Sequence, residues 1–147
     1  RHDHARSCFS KATLSTQLKT RWSTKVGTDL TAMTVAEGKL FVADKDAHAL
    51  HALDAVSGQH VWKFIAGARI DSPPTYYRRR LLFGSRDGWV YCLRAADGAL
   101  AWRFRAAPAE RQVVDHGRLA SAWPLHGSVL VREGWSIPPC LHVVPGT

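Results

Sequence analysis

The 147-residue sequence predicts an all-β fold in which a four-stranded unit recurs about every 40 residues. The first observation behind this prediction is the spacing of Trp22, Trp62 and Trp102, which follow one another at intervals of 40 residues. The second is that short apolar runs alternate with turns rich in Asp and Gly, which is typical of strands joined by hairpins. The third is that no window carries the apolar stripe of an amphipathic helix.

Two units are complete, and their apolar runs predict the same strands in each. We expect strands in the first unit at 40–43, 49–53 and 59–64, and in the second at 81–83, 89–93 and 99–105. The turns between the last two strands, 54–58 and 94–98, both end in glycine, which adopts a positive φ at little cost. Leu50 and Leu53 fall on opposite faces of one strand, so both faces of the sheet are expected to be covered.

A period of about 40 residues with four strands per unit is the signature of a β-propeller blade. We therefore predict about two complete four-stranded blades plus partial blades, with a flat β-sandwich of two related halves as the alternative. The predicted organisation is a poorly ordered tail over 1–17, a blade segment over 18–134 and an irregular tail over 135–147. In that last segment, Pro138 and Pro139 argue against a central strand.

Two further expectations concern the end of the repeat. Residues 106–126 predict a longer connection that carries a surface insertion. The repeat stops in mid-blade near Gly134, and propellers close with about four to eight blades. We therefore expect the chain to be a fragment of a longer protein, or its reading frame to be altered near Gly134.

The segment 52–62 resembles the tryptophan-docking motif of the PQQ-like, quinoprotein-type propeller repeat family. That motif has Ala first, Asp third, Gly seventh and Trp eleventh, and Ala52, Asp54, Gly58 and Trp62 match it. The family includes quinone-dependent dehydrogenases and a propeller lipoprotein of the bacterial outer-membrane assembly machinery that binds no quinone.

The second copy of the motif, at 92–102, keeps Gly98 and Trp102 but has Cys92 and Arg94 in the first and third places. The resemblance implies that each indole stacks on the motif of the neighbouring blade, near its glycine. The residues that it places at such seams are Trp22, Ala52, Asp54, Gly58, Trp62, Gly98 and Trp102.

The sequence offers little for catalysis or for a cofactor. There is no Gly-x-Ser-x-Gly elbow, no vicinal Cys pair and no Asn, and His48 and His51 are three apart on a strand, so they point to opposite faces. We therefore predict no catalytic, cofactor or metal site, and PQQ with calcium only if the chain derives from a dehydrogenase. If the chain has a sugar or peptide site, a group of aromatic residues is the best candidate for it, but packing between blades is the interpretation that we favour for them: Tyr76, Tyr77, Trp89 and Tyr91.

The charge balance excludes some partners. The net charge is +8, but the basic residues are scattered except for Arg78–Arg80, which falls far short of a nucleic-acid-binding stripe. No apolar run is long enough to cross a bilayer, so no integral membrane segment is expected. The predicted partner is a protein or the remaining propeller blades, with no nucleic acid.

The function that these observations favour is a non-catalytic PQQ-like propeller module acting in protein binding or scaffolding. The resemblance implies a periplasmic or secreted location, although no signal peptide is visible. The alternative is a fragment of a PQQ-dependent quinoprotein dehydrogenase.

Overall fold

The computed structural model describes residues 19–115, 117–131 and 141–142. Regular structure in this part of the chain is entirely β, and the all-β prediction is confirmed. The strands are β1 (Thr34–Ala36), β2 (Lys39–Asp44), β3 (Ala49–Asp54), β4 (His60–Ile65), β5 (Thr75–Tyr77), β6 (Arg80–Gly84), β7 (Trp89–Arg94), β8 (Leu100–Arg105), β9 (Gln112–Asp115), β10 (Arg118–Ser121), β11 (Leu130–Val131) and β12 (Leu141–His142).

The first eight strands form two antiparallel four-stranded sheets with the same topology. One sheet has the order β1-β2-β3-β4 and the other β5-β6-β7-β8. The registers also repeat, because Ala52 pairs with Trp62 and Cys92 pairs with Trp102. Each sheet has a register shift directly after that pair. These two sheets are the blades that the 40-residue repeat predicts.

Blade stacking buries the apolar faces of the sheets. The core cluster at the seam joins residues from both blades: Phe41, Leu50, Ala52 and Trp62 from the first, and Leu81, Phe83, Tyr91 and Leu93 from the second. The opposite face of the second blade contributes Leu82, Val90 and Cys92 to another cluster, which is completed by Val129. Both faces of the second blade are therefore covered in the described part of the chain. In the first blade, Leu50 and Leu53 are both buried, as their positions on opposite faces of β3 predict.

The first strands of successive blades are linked by threonine hydroxyls. Thr34 Oγ1 donates a hydrogen bond to the carbonyl of Pro74 at 2.6 Å, and Thr75 Oγ1 donates to the carbonyl of Val129 at 2.6 Å. The same bond thus recurs from one blade to the next. It fixes the start of each blade against the start of its neighbour.

The turns that follow these first strands both require positive φ. The β1–β2 turn has Glu37 at φ 49° and Gly38 at φ 68°, whereas the β5–β6 turn has Arg78 at φ 45° and Arg79 at φ 63°. Two-residue hairpin turns of this kind favour Gly or Asn, so two arginines are an unusual choice.

The connection at 106–126 is more ordered than an irregular insertion. It contains a hairpin in which β9 pairs with β10, from Gln112 opposite Ser121 to Asp115 opposite Arg118. Gly117, at φ 76°, lies in the turn.

The predicted tails fall mostly outside the described residues. The N-terminal tail 1–17 lies wholly outside them, as does the point near Gly134 where the repeat stops. Within the predicted irregular tail 135–147, only β12 is described, and it pairs with β11 as a two-residue strand. No helix in the described part of the chain is long and apolar enough to cross a membrane.

Candidate functional site

The seam between the two blades is centred on Trp62. Its side chain is 8% exposed, and its indole Nε1 donates a hydrogen bond to the carbonyl of Ala95 at 3.2 Å. The ring lies against Gly98, where a Cβ atom would come within 2.5 Å of Cε3 of the indole. Gly98 also has a φ of 73°, so both the backbone and the space at this point favour glycine.

The same arrangement occurs 40 residues earlier. The half-buried Trp22 donates from Nε1 to the carbonyl of Ala55 at 3.2 Å, and a Cβ on Gly58 would lie 2.5 Å from its Cδ2. Thr24 Oγ1 adds a hydrogen bond to the carbonyl of Gly58 at 2.9 Å. In both places, donor and acceptor are 33 residues apart.

Asp54 and Ala52 have different structural roles in the first copy of the motif. Asp54 Oδ1 accepts hydrogen bonds from the backbone N–H groups of Val56 (3.0 Å) and Ser57 (2.7 Å) and from the Ser57 hydroxyl (2.9 Å). The backbone and hydroxyl hydrogen bonds from Ser57 lower the pKa of Asp54. Ala52 is fully buried opposite Trp62, so the carboxylate holds the turn while the alanine leaves room for the ring.

The second copy closes its turn with another aspartate. Arg94 occupies the Asp54 position, and its Nε donates to Asp97 Oδ1 at 2.9 Å. Asp97 in turn accepts the backbone N–H of Ala99 at 3.1 Å, and this hydrogen bond lowers the pKa of Asp97. The departure from the family pattern therefore replaces one turn carboxylate by another three residues later.

Trp102 differs from its two equivalents. Its Nε1 is buried and has no hydrogen-bond partner among the described residues. The ring packs against the cluster formed by Leu82, Val90, Cys92 and Val129.

Among the described residues, an extended cluster of ion pairs centred on Asp71 is one that the sequence did not predict. Asp71 accepts hydrogen bonds from Nε of Arg69 at 2.7 Å and Nε of Arg86 at 2.6 Å, and pairs with Nδ1 of His126 at 2.9 Å. The other end of Arg69 binds Asp29 at 2.8 Å. Burial opposes ionisation of Asp71, but the hydrogen bonds from Arg86, His126 and Arg69 outweigh it and lower its pKa.

This cluster connects four separate segments of the chain. Asp29 precedes β1, Arg69 and Asp71 lie between β4 and β5, Arg86 lies in the β6–β7 turn, and His126 precedes β11. Because the oxygens of Asp71 are already engaged by cations, the arrangement stabilises the junction of the blades and offers no free base.

A second unpredicted polar feature is a histidine pair on the first blade. Nδ1 of His51 and Nε2 of His60 share a hydrogen bond at 3.0 Å, and His51 is 6% exposed. Burial lowers the pKa of His51, and the nearby His60 and Lys63 lower it further, against a smaller opposite effect of Asp44.

The aromatic candidates do not form one ligand site. Tyr91 stacks on Phe83 in the seam, with ring centroids 5.3 Å apart, and its hydroxyl donates to Asp87. Burial, aided by Asp87, raises the pKa of Tyr91 to about 12. Tyr76 and Trp89 pack against the same cluster, whereas Tyr77 packs against the cluster on the opposite face of the blade. Packing between blades accounts for these contacts.

Trp89 has a further set of neighbours that no sequence motif indicated. The guanidinium carbon of Arg103 lies 4.5 Å from the centroid of the Trp89 ring, and that of Arg105 lies 5.3 Å from it. Trp89 is the cross-strand partner of Arg105, and Tyr91 is the partner of Arg103. We call Arg103, Trp89 and Arg105 the arginine ladder.

The described residues bring together no set of side chains that matches a quinone–calcium site. Among the described residues, no three His, Cys, Asp or Glu side chains are placed to hold a metal ion. The whole sequence also has no asparagine to serve as a ligand. The oxygens of Asp71 are already engaged by Arg69, Arg86 and His126.

Comparison with known proteins identifies the repeat. A family model described as outer membrane protein assembly factor BamB matches residues 9–133. The chain belongs to this PQQ-like β-propeller repeat family. Its two blades are therefore PQQ-like blades, and the predicted membership of the PQQ-like propeller repeat family is confirmed.

Solved structures agree on the fold. Quinohemoprotein alcohol dehydrogenase from Comamonas testosteroni matches with a TM-score of 0.57 and 17% identity, over 71% of this chain and 16% of its own. The enzyme ADHIIG from Pseudomonas putida HK5 matches with a TM-score of 0.55 and 19% identity, over 69% of this chain and 15% of its own. Identities this low show the PQQ-like fold and nothing more.

BamB from Moraxella catarrhalis matches with a TM-score of 0.47 and 21% identity, over 67% of this PQQ-like chain and 35% of its own. The chain thus spans about a third or less of the length of these structures. No curated protein matches it.

Proposed function

We propose that this chain is a non-catalytic PQQ-like propeller module that binds protein, either the remaining blades of a propeller or a separate partner. The observation that carries the proposal is the set of hydrogen bonds that the polar groups of the motif residues form. Trp22 and Trp62 bond to carbonyls of the adjoining motif, and Asp54 bonds to its own turn. These groups serve packing between blades, which is what a scaffold needs.

We propose that Trp22 and Trp62, with Gly58 and Gly98, act as docking pairs that hold each blade to the next. A large flat ring contacts a peptide plane closely only where no Cβ intervenes, and its N–H needs a partner once buried. Trp102 would serve the same role toward a following blade. Its buried Nε1, without a partner among the described residues, supports that extension.

The setting we propose is the bacterial periplasm or cell envelope. The description of the matched family, an outer membrane protein assembly factor, supports a scaffold in that compartment. The broad surfaces of a propeller, with its loops and edge strands, suit contacts with other proteins.

The alternative, a fragment of a quinoprotein dehydrogenase, is tested by titrating the full chain with PQQ and Ca²⁺ in a calorimeter. A scaffold gives no saturable heat, whereas saturable binding that requires Ca²⁺ overturns the non-catalytic proposal. Because the donors at Asp71 are already paired with cations, we expect no response.

Protein binding itself is tested by a pull-down from a bacterial envelope extract. The immobilised full chain is expected to retain a protein in stoichiometric amount, which mass spectrometry then identifies. The control is the same chain immobilised after unfolding in urea. Equal retention by the unfolded chain contradicts the proposal.

A further inference from the structure

We propose that the outer edge of β8 in the second blade, together with the arginine ladder, binds an extended acidic protein segment. This inference rests on the proposed protein-binding function and names the surface and the chemistry of the partner. It is carried by the exposure of one strand, the distribution of charge between the blades and the geometry of three side chains.

The strand β8 offers a free edge. It is the last strand in the order β5-β6-β7-β8, so within the described residues it is paired on one side only, with β7. Five of its six residues are exposed. A free edge presents backbone N–H and C=O groups that an extended segment satisfies by adding as a further strand.

The positive charge of the chain is concentrated on this blade. Residues 75–105 contain seven arginines and two aspartates, a net charge of +5. The equivalent span of the first blade, 34–65, contains three lysines and four acidic residues, a net charge of −1. The two blades share a fold but differ in electrostatic sign, so an acidic partner is attracted to the second one.

The guanidinium groups of the arginine ladder are held in place on the Trp89 ring, in positions that suit the binding of a carboxylate. Stacking on an aromatic face holds a guanidinium by its plane and leaves its N–H edges available. Arg105 also pairs with the exposed Glu110 at 2.9 Å, whereas Arg103 forms no ion pair within the described part of the chain. Arg103 is therefore a preoriented cation that an incoming carboxylate binds without displacing another.

The repeat does not require this ladder. The residues of the first blade at the positions of Arg103 and Arg105 are Lys63 and Ile65. Edge strands often carry one charged residue as a guard against aggregation, and Lys63 is enough for that purpose. Two arginines stacked on one tryptophan are more than protection against aggregation requires.

The two faces of β8 specify the sequence pattern of the partner. Arg103 and Arg105 are two apart and share one face, whereas Phe104, which is 56% exposed, lies between them and faces the other way. A strand added to this edge places its own residues alternately on the two faces. The matching segment alternates acidic residues with apolar ones.

The probe is a dye-labelled peptide that alternates Glu with Val, and its binding to the full chain is followed by fluorescence anisotropy. We expect saturable binding that R103E/R105E weakens by about tenfold or more and that weakens as salt is added. The control is K63E, which reverses the one charge that the first blade carries at the equivalent positions and is expected to change the affinity by about twofold or less. If R103E/R105E does not fold, judged by near-UV circular dichroism, R103Q/R105Q replaces it.

Two further probes separate this proposal from its rivals. The same peptide with every backbone nitrogen methylated has no N–H to donate from either edge, so equal affinity overturns the edge-strand assignment. A single-stranded oligonucleotide that binds more tightly than the peptide, with the same response to R103E/R105E, overturns the acidic-protein assignment. Absence of peptide binding overturns the proposal as a whole.

The outcome is distinguishable from failure of the proposed function. If R103E/R105E still retains the envelope protein captured by the wild-type chain, protein binding stands and its assignment to β8 falls. If the wild-type chain retains no protein but binds the peptide through Arg103 and Arg105, the surface stands as an acidic-segment site and the broader scaffold function falls.

Discussion

The indole of Trp62 covers the peptide of Gly98 across the seam between the two blades, so closely that a methyl group on Gly98 would lie 2.5 Å from the ring. The same indole donates its N–H to Ala95, three residues before that glycine. One side chain thus joins two sheets by an apolar contact and a directional one. This pairing makes the seam sensitive to small changes on either side.

Trp62→Ala is expected to lower the free energy of unfolding by about 3–5 kcal/mol, because it opens a cavity in the seam. Trp22→Ala is expected to cost less, since Trp22 is only half-buried. Urea unfolding of both variants measures the difference. A loss of less than about 1 kcal/mol in the free energy of unfolding of Trp62→Ala contradicts the burial of the indole in the seam.

Gly98→Ala separates backbone strain from steric contact when it is compared with Gly38→Ala. Both glycines have positive φ, but a Cβ on Gly38 meets nothing within 4 Å. Gly38→Ala is therefore expected to cost about 1 kcal/mol from the backbone alone. Gly98→Ala adds the clash with Trp62, which is expected to lower the free energy of unfolding by about 1–3 kcal/mol more. Equal losses in thermal or urea unfolding show that the ring moves aside freely.

The repeat made the two blades predictable from sequence because the same pattern of apolar runs and turns occurs twice, 40 residues apart. The observed bounds of β3 and β7 extend the predicted ranges 49–53 and 89–93 by one residue each. The acceptor carbonyls were also within reach of the sequence. Ala55 and Ala95 recur at the 40-residue interval, and this signal could have indicated them.

The polar clusters were not predictable in the same way. Asp71 gathers partners from segments up to 55 residues away, and nothing in the local sequence of Arg69, Arg86 or His126 signals that convergence. The arginine ladder depends on the register between β7 and β8, which decides that Arg105 faces Trp89. The hairpin of β9 and β10 has no counterpart in the repeat, so periodicity carries no information about it.

Asp71→Asn is expected to lower stability by about 1–3 kcal/mol, because Arg69 and Arg86 lose the charge that neutralises them at a partly buried point. The pKa of Asp71 is lowered in the folded state, so its contribution is present above the unfolded pKa of about 3.9 and is lost as the pH falls through the folded value. The variant is therefore expected to lose less stability than the wild type on acidification.

Asp97→Asn is the control for that change, since Asp97 bonds only within its own exposed turn. Urea unfolding across the acidic range measures both variants. If the two substitutions change the free energy of unfolding by similar amounts, Asp71 does not stabilise the junction of the blades as proposed.

His51 is expected to make the fold less stable as the pH falls below about 6.5, the ordinary value for histidine. Burial, together with His60 and Lys63, lowers the pKa of His51 in the folded chain, against the smaller opposite effect of Asp44. The unfolded chain therefore binds a proton first, and protonation favours unfolding until the pH passes below the folded pKa. His51→Gln removes this contribution, so its stability is expected to fall less than that of the wild type between about pH 7 and pH 5. Proton NMR titration measures the pKa directly, with His51→Gln identifying the resonance by its loss, and a midpoint at or above about 6.5 contradicts the prediction.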